Sequence, residues 1–306
     1  DRLEEAVNIL QELRWGHPSF LHRNQAMEQL GDIYFDSQEY AAAAELYSTV
    51  SHFLTNSVKE GQVLQKLARS YHLSDNYTAA KQTYHYLLEN APESAATDSI
   101  AFEIAILLLK LGDEEQSINQ FLKISEQFPE SPLGQQGLAR AGHISFAMND
   151  YNKSLDIYKS IITNHGSNDS LVYGQYTIAL FRTKNVTTAH RAAKDFKQRF
   201  DESWQPRFEL EAANYYKKTN QYAKALKTYK KVEQTDSPLA SEAAYNAAML
   251  LWDRNKKDPS EESTALALES LNRFVKNYPN SKQLSAVFLH IANPQYSLRN
   301  YLQAAG

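Results

Sequence analysis

Residues 27–47 read MEQLGDIYFDSQEYAAAAELY, and residues 64–84 read LQKLARSYHLSDNYTAAKQTY. A shift of 37 carries Met27, Leu30, Gly31, Tyr34, Tyr40, Ala43 and Tyr47 onto Leu64, Leu67, Ala68, Tyr71, Tyr77, Ala80 and Tyr84. A second shift of 37 gives Ala101, Ile104, Ala105, Leu108, Glu114, Ser117 and Phe121. A third gives Leu138, Ala141, Gly142, Ser145, Tyr151, Ser154 and Tyr158. The pattern continues at Tyr173, Tyr176, Thr177, Leu180, Val186, Ala189 and Ala193, then at Glu209, Ala212, Ala213, Tyr216, Tyr222, Ala225 and Tyr229. A seventh copy starts at Ala244, Ala247, Ala248 and Leu251 and resumes at Ala267, Leu271 and Phe274. Self-similarity at such a period marks a repeat architecture.

The spacings have physical causes. The first four positions of each copy lie three or four residues apart, which is one face of a helix. The last two positions, four apart, form a face on a second helix. Between them sits a short polar turn with Asp75-Asn76, Asp113, Asn149-Asp150, Asn185 or Asn220, whose side chains are expected to cap the new helix. Gly112 supplies a left-handed exit before Asp113. Small residues recur where the two helices cross: Gly31 with Ala43, Ala68 with Ala80, Ala213 with Ala225. Pro18, Pro92, Pro129 and Pro279 fall at one phase and close the units, three of them as Pro-x-Ser, where Pro ends one helix and Ser can cap the next.

The chain resembles the tetratricopeptide repeat, with its large–Leu–Gly/Ala–Tyr first helix and its Tyr–Ala–aromatic–Pro second helix. The resemblance covers nearly all of the 306 residues. It implies an all-α, right-handed solenoid of stacked antiparallel helix pairs, with about seventeen helices and no strands. Whole repeats are expected at about 24–56, 61–94, 98–131, 135–168, 170–203, 206–239 and 241–281, with partial ones at 1–20 and 285–306. Ala6, Leu10 and Leu13 fit the second helix of a preceding unit, and Phe288, Ile291, Ala292, Tyr301 and Ala304 fit an eighth, broken early by Pro294. Both ends cut the pattern, which predicts a piece of a longer protein. Glu114, Thr177 and Ala193 depart from the family pattern, so their units should pack less tightly. The segment 253–264 is irregular and is expected to be a solvated loop between the helices of the seventh unit.

Composition fits this reading. Only ten Gly and nine Pro interrupt the chain, and hydrophobic residues make up 42%, enough for a core. The net charge of −4 argues against a nucleic-acid binder. There is no cysteine, so no disulfide, thiolate metal site or Cys nucleophile. No two of the nine His stand three or four residues apart, so no metal is expected. No phosphate loop, nucleophile elbow or metalloprotease motif occurs, and neither a cofactor nor enzymatic activity is expected. Lysines cluster at 217, 218, 224, 227, 230 and 231, as a solvated face or as a patch for an anionic partner.

In proteins that this chain resembles, the first helix of each pair lines a concave groove. Residues beside the packing anchors would point into it: Phe35, Arg69, His72, Phe102, Lys110, Arg140, His143, Phe146, Phe181, Arg182, Asn214 and Lys217. Phe35, His72, Phe146 and Phe181 share a phase and could form an aromatic strip, although Phe35 and Phe181 could equally pack against the next repeat. Aromatic residues and Arg dominate binding hot spots, so the groove suits a protein segment with acidic and apolar residues. Only Asn214 matches the carboxylate clamp of chaperone-binding members, so a chaperone-tail adaptor is not expected.

A non-enzymatic scaffold within a larger assembly is the first expectation. A structural spacer or oligomerisation arm is the second, and binding of an anionic polymer such as a polysaccharide is the third. The Phe-Pro-Glu-Ser and Tyr-Pro-Asn-Ser joins and the long period resemble bacterial cell-envelope members of the family, which implies the periplasm, with the cytoplasm as the alternative.

Overall fold

A computed structural model describes residues 2–16, 20–54, 58–90, 97–164, 168–258 and 260–292. The described residues form helices and turns, with no strand. They fall into two compact units, 1–164 and 165–306. The first unit holds α1 (Arg2–Gly16), α2 (Phe20–Asp36), α3 (Tyr40–Ser51), α4 (Val58–Leu73), α5 (Tyr77–Asn90), α6 (Thr97–Lys110), α7 (Glu114–Gln127), α8 (Pro132–Ala147) and α9 (Tyr151–Asn164). The second holds α10 (Ser170–Arg182), α11 (Val186–Arg199), α12 (Gln205–Lys218), α13 (Tyr222–Glu233), α14 (Ala240–Lys257), α15 (Glu261–Asn277) and a helical segment at 284–292. The expected stops at Pro18 and Pro92 lie outside the described residues, as do Pro294, Tyr301 and Ala304.

Within each unit, helices pack on their neighbours in chain order. The anchors identified by the repeat are the core. Leu30, Ala43, Tyr47, Ala68, Ala80, Leu87 and Ile104 are buried in one continuous cluster of the first unit. Leu210, Ala213, Ala225, Tyr229 and Ala247 do the same in the second. Burying one such large side chain contributes roughly 1.5–3 kcal/mol, and the repeat multiplies that contribution.

Six turns inside the helix pairs share one hydrogen-bond pattern. In the first, Gln38 N–H donates to Phe35 O (3.0 Å) and Glu39 N–H to Tyr34 O (2.8 Å). The same two bonds recur at 75–76, 112–113, 149–150, 184–185 and 220–221. This closure requires a left-handed residue, and Gln38, Asp75, Gly112, Asn149, Lys184 and Asn220 all have φ between 58° and 82°. The expected capping is corrected here. Asn76 and Asp150 do cap, accepting from Ala79 N–H (3.3 Å) and Lys153 N–H (3.1 Å). Asp113 and Asn185 stand at the N-cap with no side-chain cap bond. Asp75, Asn149 and Asn220 are instead the left-handed residues, and each accepts the hydroxyl of the tyrosine two residues on, Tyr77, Tyr151 and Tyr222.

The segment 253–264 is not a loop. α14 continues through it to Lys257, and α15 starts at Glu261 behind a capping box. Ser260 Oγ accepts from Ser263 N–H (3.1 Å), and Ser263 Oγ accepts from Ser260 N–H (2.9 Å). The buried Asn255 Oδ1 accepts from the hydroxyls of Ser263 (2.6 Å) and Thr264 (3.0 Å). The additional residues therefore lengthen two helices, because three hydroxyls and one amide satisfy the new helix ends.

Candidate functional site

In the first unit, α2, α4, α6 and α8 are the first helices of successive pairs. Their anchors point into the core, so the residues beside those anchors share one outer face. Phe35 is half-buried, with its ring edge-on to Tyr40 (centroids 5.3 Å apart) and the Arg69 guanidinium 5.4 Å from its centroid. His72 meets Tyr77 edge-on at 6.0 Å, and Lys110 Nζ lies 6.0 Å from the same tyrosine ring. Phe146 meets Tyr151 edge-on at 5.4 Å. Three aromatic residues of the expected strip thus rest on the first residue of the following helix. Arg69, Lys110 and Arg140 are exposed, and no carboxylate lies within ion-pairing distance of any of them among the described residues.

A charged bridge joins α2 to α4. Lys66 Nζ donates to Asp32 (2.7 and 3.0 Å) and to Glu28 (3.4 Å), and Asp32 also accepts the Tyr47 hydroxyl (2.6 Å). Burial lowers the Lys66 pKa, but the bond and charge of Asp32, with Glu28 behind it, outweigh burial and hold it above its usual value. Beyond Arg69 a cleft of about 650 Å³ opens between α4 and α6, lined by Gln65, Arg69, His72, Tyr84 and Glu103. Glu103 Oε2 lies 3.2 Å from His72 Nδ1, yet out of hydrogen-bonding geometry. Burial and then the charge of Glu103 push the Tyr84 hydroxyl up to about 12, while Arg69 opposes them.

Two of the expected groove residues have their rings inside the fold. Phe102 is 8% exposed and packs edge-on to Phe121 at 5.1 Å. Phe181 is 3% exposed and packs edge-on to His190 at 5.3 Å. Others are engaged within the chain. His143 Nδ1 lies 2.9 Å from the Tyr158 hydroxyl, and Asn214 Oδ1 accepts the Tyr229 hydroxyl (2.6 Å). Arg182 donates to Glu211 (2.6 Å), a carboxylate only 3% exposed, and Lys217 Nζ stands 4.0 Å from Asp253.

Family models described as tetratricopeptide repeat match residues 62–94 and 210–282, the latter spanning α12 to α15. The chain thus carries tetratricopeptide repeats over these residues. Its fold is similar to that of the C-terminal part of a tetratricopeptide-repeat protein from Cytophaga hutchinsonii, at 13% identity and a TM-score of 0.59, covering 85% of this chain and 98% of that one. It is also similar to a chain in the structure of Naa15/Naa10 bound to HypK-THB, at 15% identity and a TM-score of 0.58, covering 92% of this chain and 40% of that one. No curated protein sequence matches.

The repeat also explains what sequence reasoning missed. Lys66, Glu103 and Arg140 stand 37 residues apart in one column of the tetratricopeptide pattern. Only Arg140 was singled out from it, although the column puts all three at the same place on successive first helices. Lys66 and Glu103 are the residues that bridge α2 to α4 and wall the cleft beside Arg69. Among the described residues, no cluster of His, Asp and Glu could hold a metal ion, and no helix is long and apolar enough to cross a membrane.

Proposed function

We propose that this tetratricopeptide-repeat protein is a non-enzymatic scaffold that holds an acidic, partly apolar protein segment against the first-helix face of α2, α4, α6 and α8. One observation carries the reading: Arg69, Lys110 and Arg140 are exposed without carboxylate partners, beside the half-buried rings of Phe35, His72 and Phe146. Cations left without a counter-charge steer an acidic partner, and aromatic rings beside them supply apolar area with little rotamer entropy to lose. The joins Phe128-Pro129-Glu130-Ser131 and Tyr278-Pro279-Asn280-Ser281 support a place in the bacterial cell envelope.

A pull-down from source-cell lysate tests the scaffold. The chain is compared with an Arg69→Glu, Arg140→Glu double variant of equal helix content, read by mass spectrometry. A protein held by the first and lost by the second is the expected result. An unchanged set of captured proteins would overturn the reading and favour a spacer. The same cations favour a polyanion as the second reading. Heparin binding that falls steeply with salt and needs no protein would select it.

A further inference from the structure

The second unit contains a hollow beside Ala193, at the position where sibling repeats place a ring. At the equivalent position of other second helices stands a buried ring: Tyr47, Tyr84, Phe121, Tyr158 and Tyr229, all at 5% exposure or less. In α11 that position is Ala193. Two further anchors across the junction are also changed, since Glu209 stands where Met27, Leu64 and Leu138 stand, and Ala212 where Leu30 and Leu67 stand. The aromatic mass of this repeat has moved one turn along. Phe196 packs on Phe200 (4.8 Å), Phe208 (5.2 Å) and Trp204 (5.8 Å). Trp204 in turn occupies the space above Gly174, where a Cβ would stand 2.4 Å from the indole. The result is sparse packing of α11 on α12 and a cavity of about 270 Å³.

Its walls suit a ring. Phe181, Phe208, Ala193 and Ala212 are buried and apolar, and the imidazole of His190 stacks on Tyr216 at 6.2 Å, joined to its hydroxyl at 2.9 Å. At the mouth Lys231 pairs with Glu209, so the rim carries no net charge. An apolar cavity of about 150 Å³ takes a benzene ring, whereas drug-sized ligands need roughly 300–1,000 Å³. The hollow therefore fits one aromatic group and little more.

We infer that this hollow between α11, α12 and α13 takes a single aromatic ring presented by a side chain of a protein partner, replacing the ring that Ala193 lacks. The site is separate from the first-helix face of the other unit and stands independently of its role. It gives the scaffold a one-residue anchor point of the kind that dominates interface energetics.

Titration of the full chain, labelled with ¹³C at alanine methyls, tests the site. The probes are indole and N-acetyl-tryptophanamide, read at the Ala212 methyl. Both are expected to give saturable shifts, and Ala193→Phe is expected to weaken both at least about tenfold while raising Tm, because its ring fills the hollow. If Ala193→Phe does not fold, Ala212→Leu fills the same space from the opposite wall, read at the Ala193 methyl. The Arg69→Glu, Arg140→Glu variant is expected to bind both probes unchanged. No saturable shift, or binding indifferent to the filling variants, overturns the site. Binding of indole with exclusion of the amide overturns the side-chain occupant and leaves a pocket for a free aromatic molecule.

Discussion

The α-carbon of Gly134 lies so close to the backbone of Phe128 that a Cβ there would stand 2.3 Å from the Phe128 carbonyl oxygen. That oxygen belongs to main chain anchored by Phe128 N–H donating to Ile124 O (2.9 Å) and Ser131 N–H donating to Phe128 O (3.0 Å), so it cannot step aside cheaply. Gly134→Ala should therefore lower stability by about 1–3 kcal/mol, even though alanine favours a helix by about 0.5–1 kcal/mol. Gly142 makes the contrasting case. Its Cβ would meet the Tyr158 ring at 2.6 Å, but a ring can shift, and Ala68 is accommodated against Tyr84 in a sibling repeat. Gly142→Ala should cost clearly less than Gly134→Ala. Urea midpoints of the two variants check the order.

The left-handed turn residues divide into two groups. Asn220 accepts the Tyr222 hydroxyl at 2.6 Å, whereas Lys184 holds a φ of 65° with no such bond. A non-glycine residue in this region costs roughly 1–2 kcal/mol, and glycine removes that cost. Lys184→Gly should raise stability by about 1 kcal/mol. Asn220→Gly should be close to neutral, because relief of strain offsets loss of the tyrosine bond. Equilibrium unfolding with unchanged m-values checks both.

Periodicity made the helix pairs legible, because a buried face must repeat with the helix whatever the partner. The turns were legible in place but not in chemistry. Asp75, Asn149 and Asn220 carry cap-forming side chains, yet they sit at the left-handed residue one position before the cap. The signal was present in the Asx-x-Tyr triplets 75–77, 149–151 and 220–222, whose tyrosines latch the turn. The lengthening of α14 and α15 was hidden for another reason. Lys256, Lys257, Asp258 and Pro259 read as loop, whereas Ser260 pairing with Ser263, and Ser263 and Thr264 bonding to Asn255, satisfy the helix ends. On the candidate face, Phe35 and Phe146 share a phase with Phe181. Spacing alone could not tell that Phe181 is buried, packed edge-on against His190.

Alkaline pH should weaken the first unit through its buried tyrosines. Burial raises the Tyr84 hydroxyl to about 12, and burial with Asp32 raises Tyr47 further. A folded pKa above the unfolded value of 10.0 means that the unfolded chain releases its protons first. The stabilisation is thus complete below pH 10 and is lost progressively as pH rises towards 12. Absorbance at 295 nm should show exposed tyrosines ionising first and a late group ionising only with unfolding. Tyr84→Phe should flatten the fall of Tm above pH 10, and an unchanged slope would refute the assignment.

Arg182 belongs to the framework as much as to any binding face. Its guanidinium donates at 2.6 Å to Glu211, whose side chain is 3% exposed, while its own is 36% exposed. Removing one partner of a buried pair strands the other charge and costs roughly 3–5 kcal/mol when both are buried. With Arg182 partly solvated, Arg182→Met should cost about 2 kcal/mol, a reduced share of that figure. Glu211→Gln added to Arg182→Met should recover part of the loss, because the stranded group is then neutral. Arg69→Met, by contrast, should leave stability within about 0.5 kcal/mol, since Arg69 is exposed and answers no carboxylate. Thermal unfolding of the four proteins distinguishes the two arginines. A fall in partner capture with Arg182→Met would be read as unfolding unless Tm is intact, whereas the same fall with Arg69→Met reports the face itself.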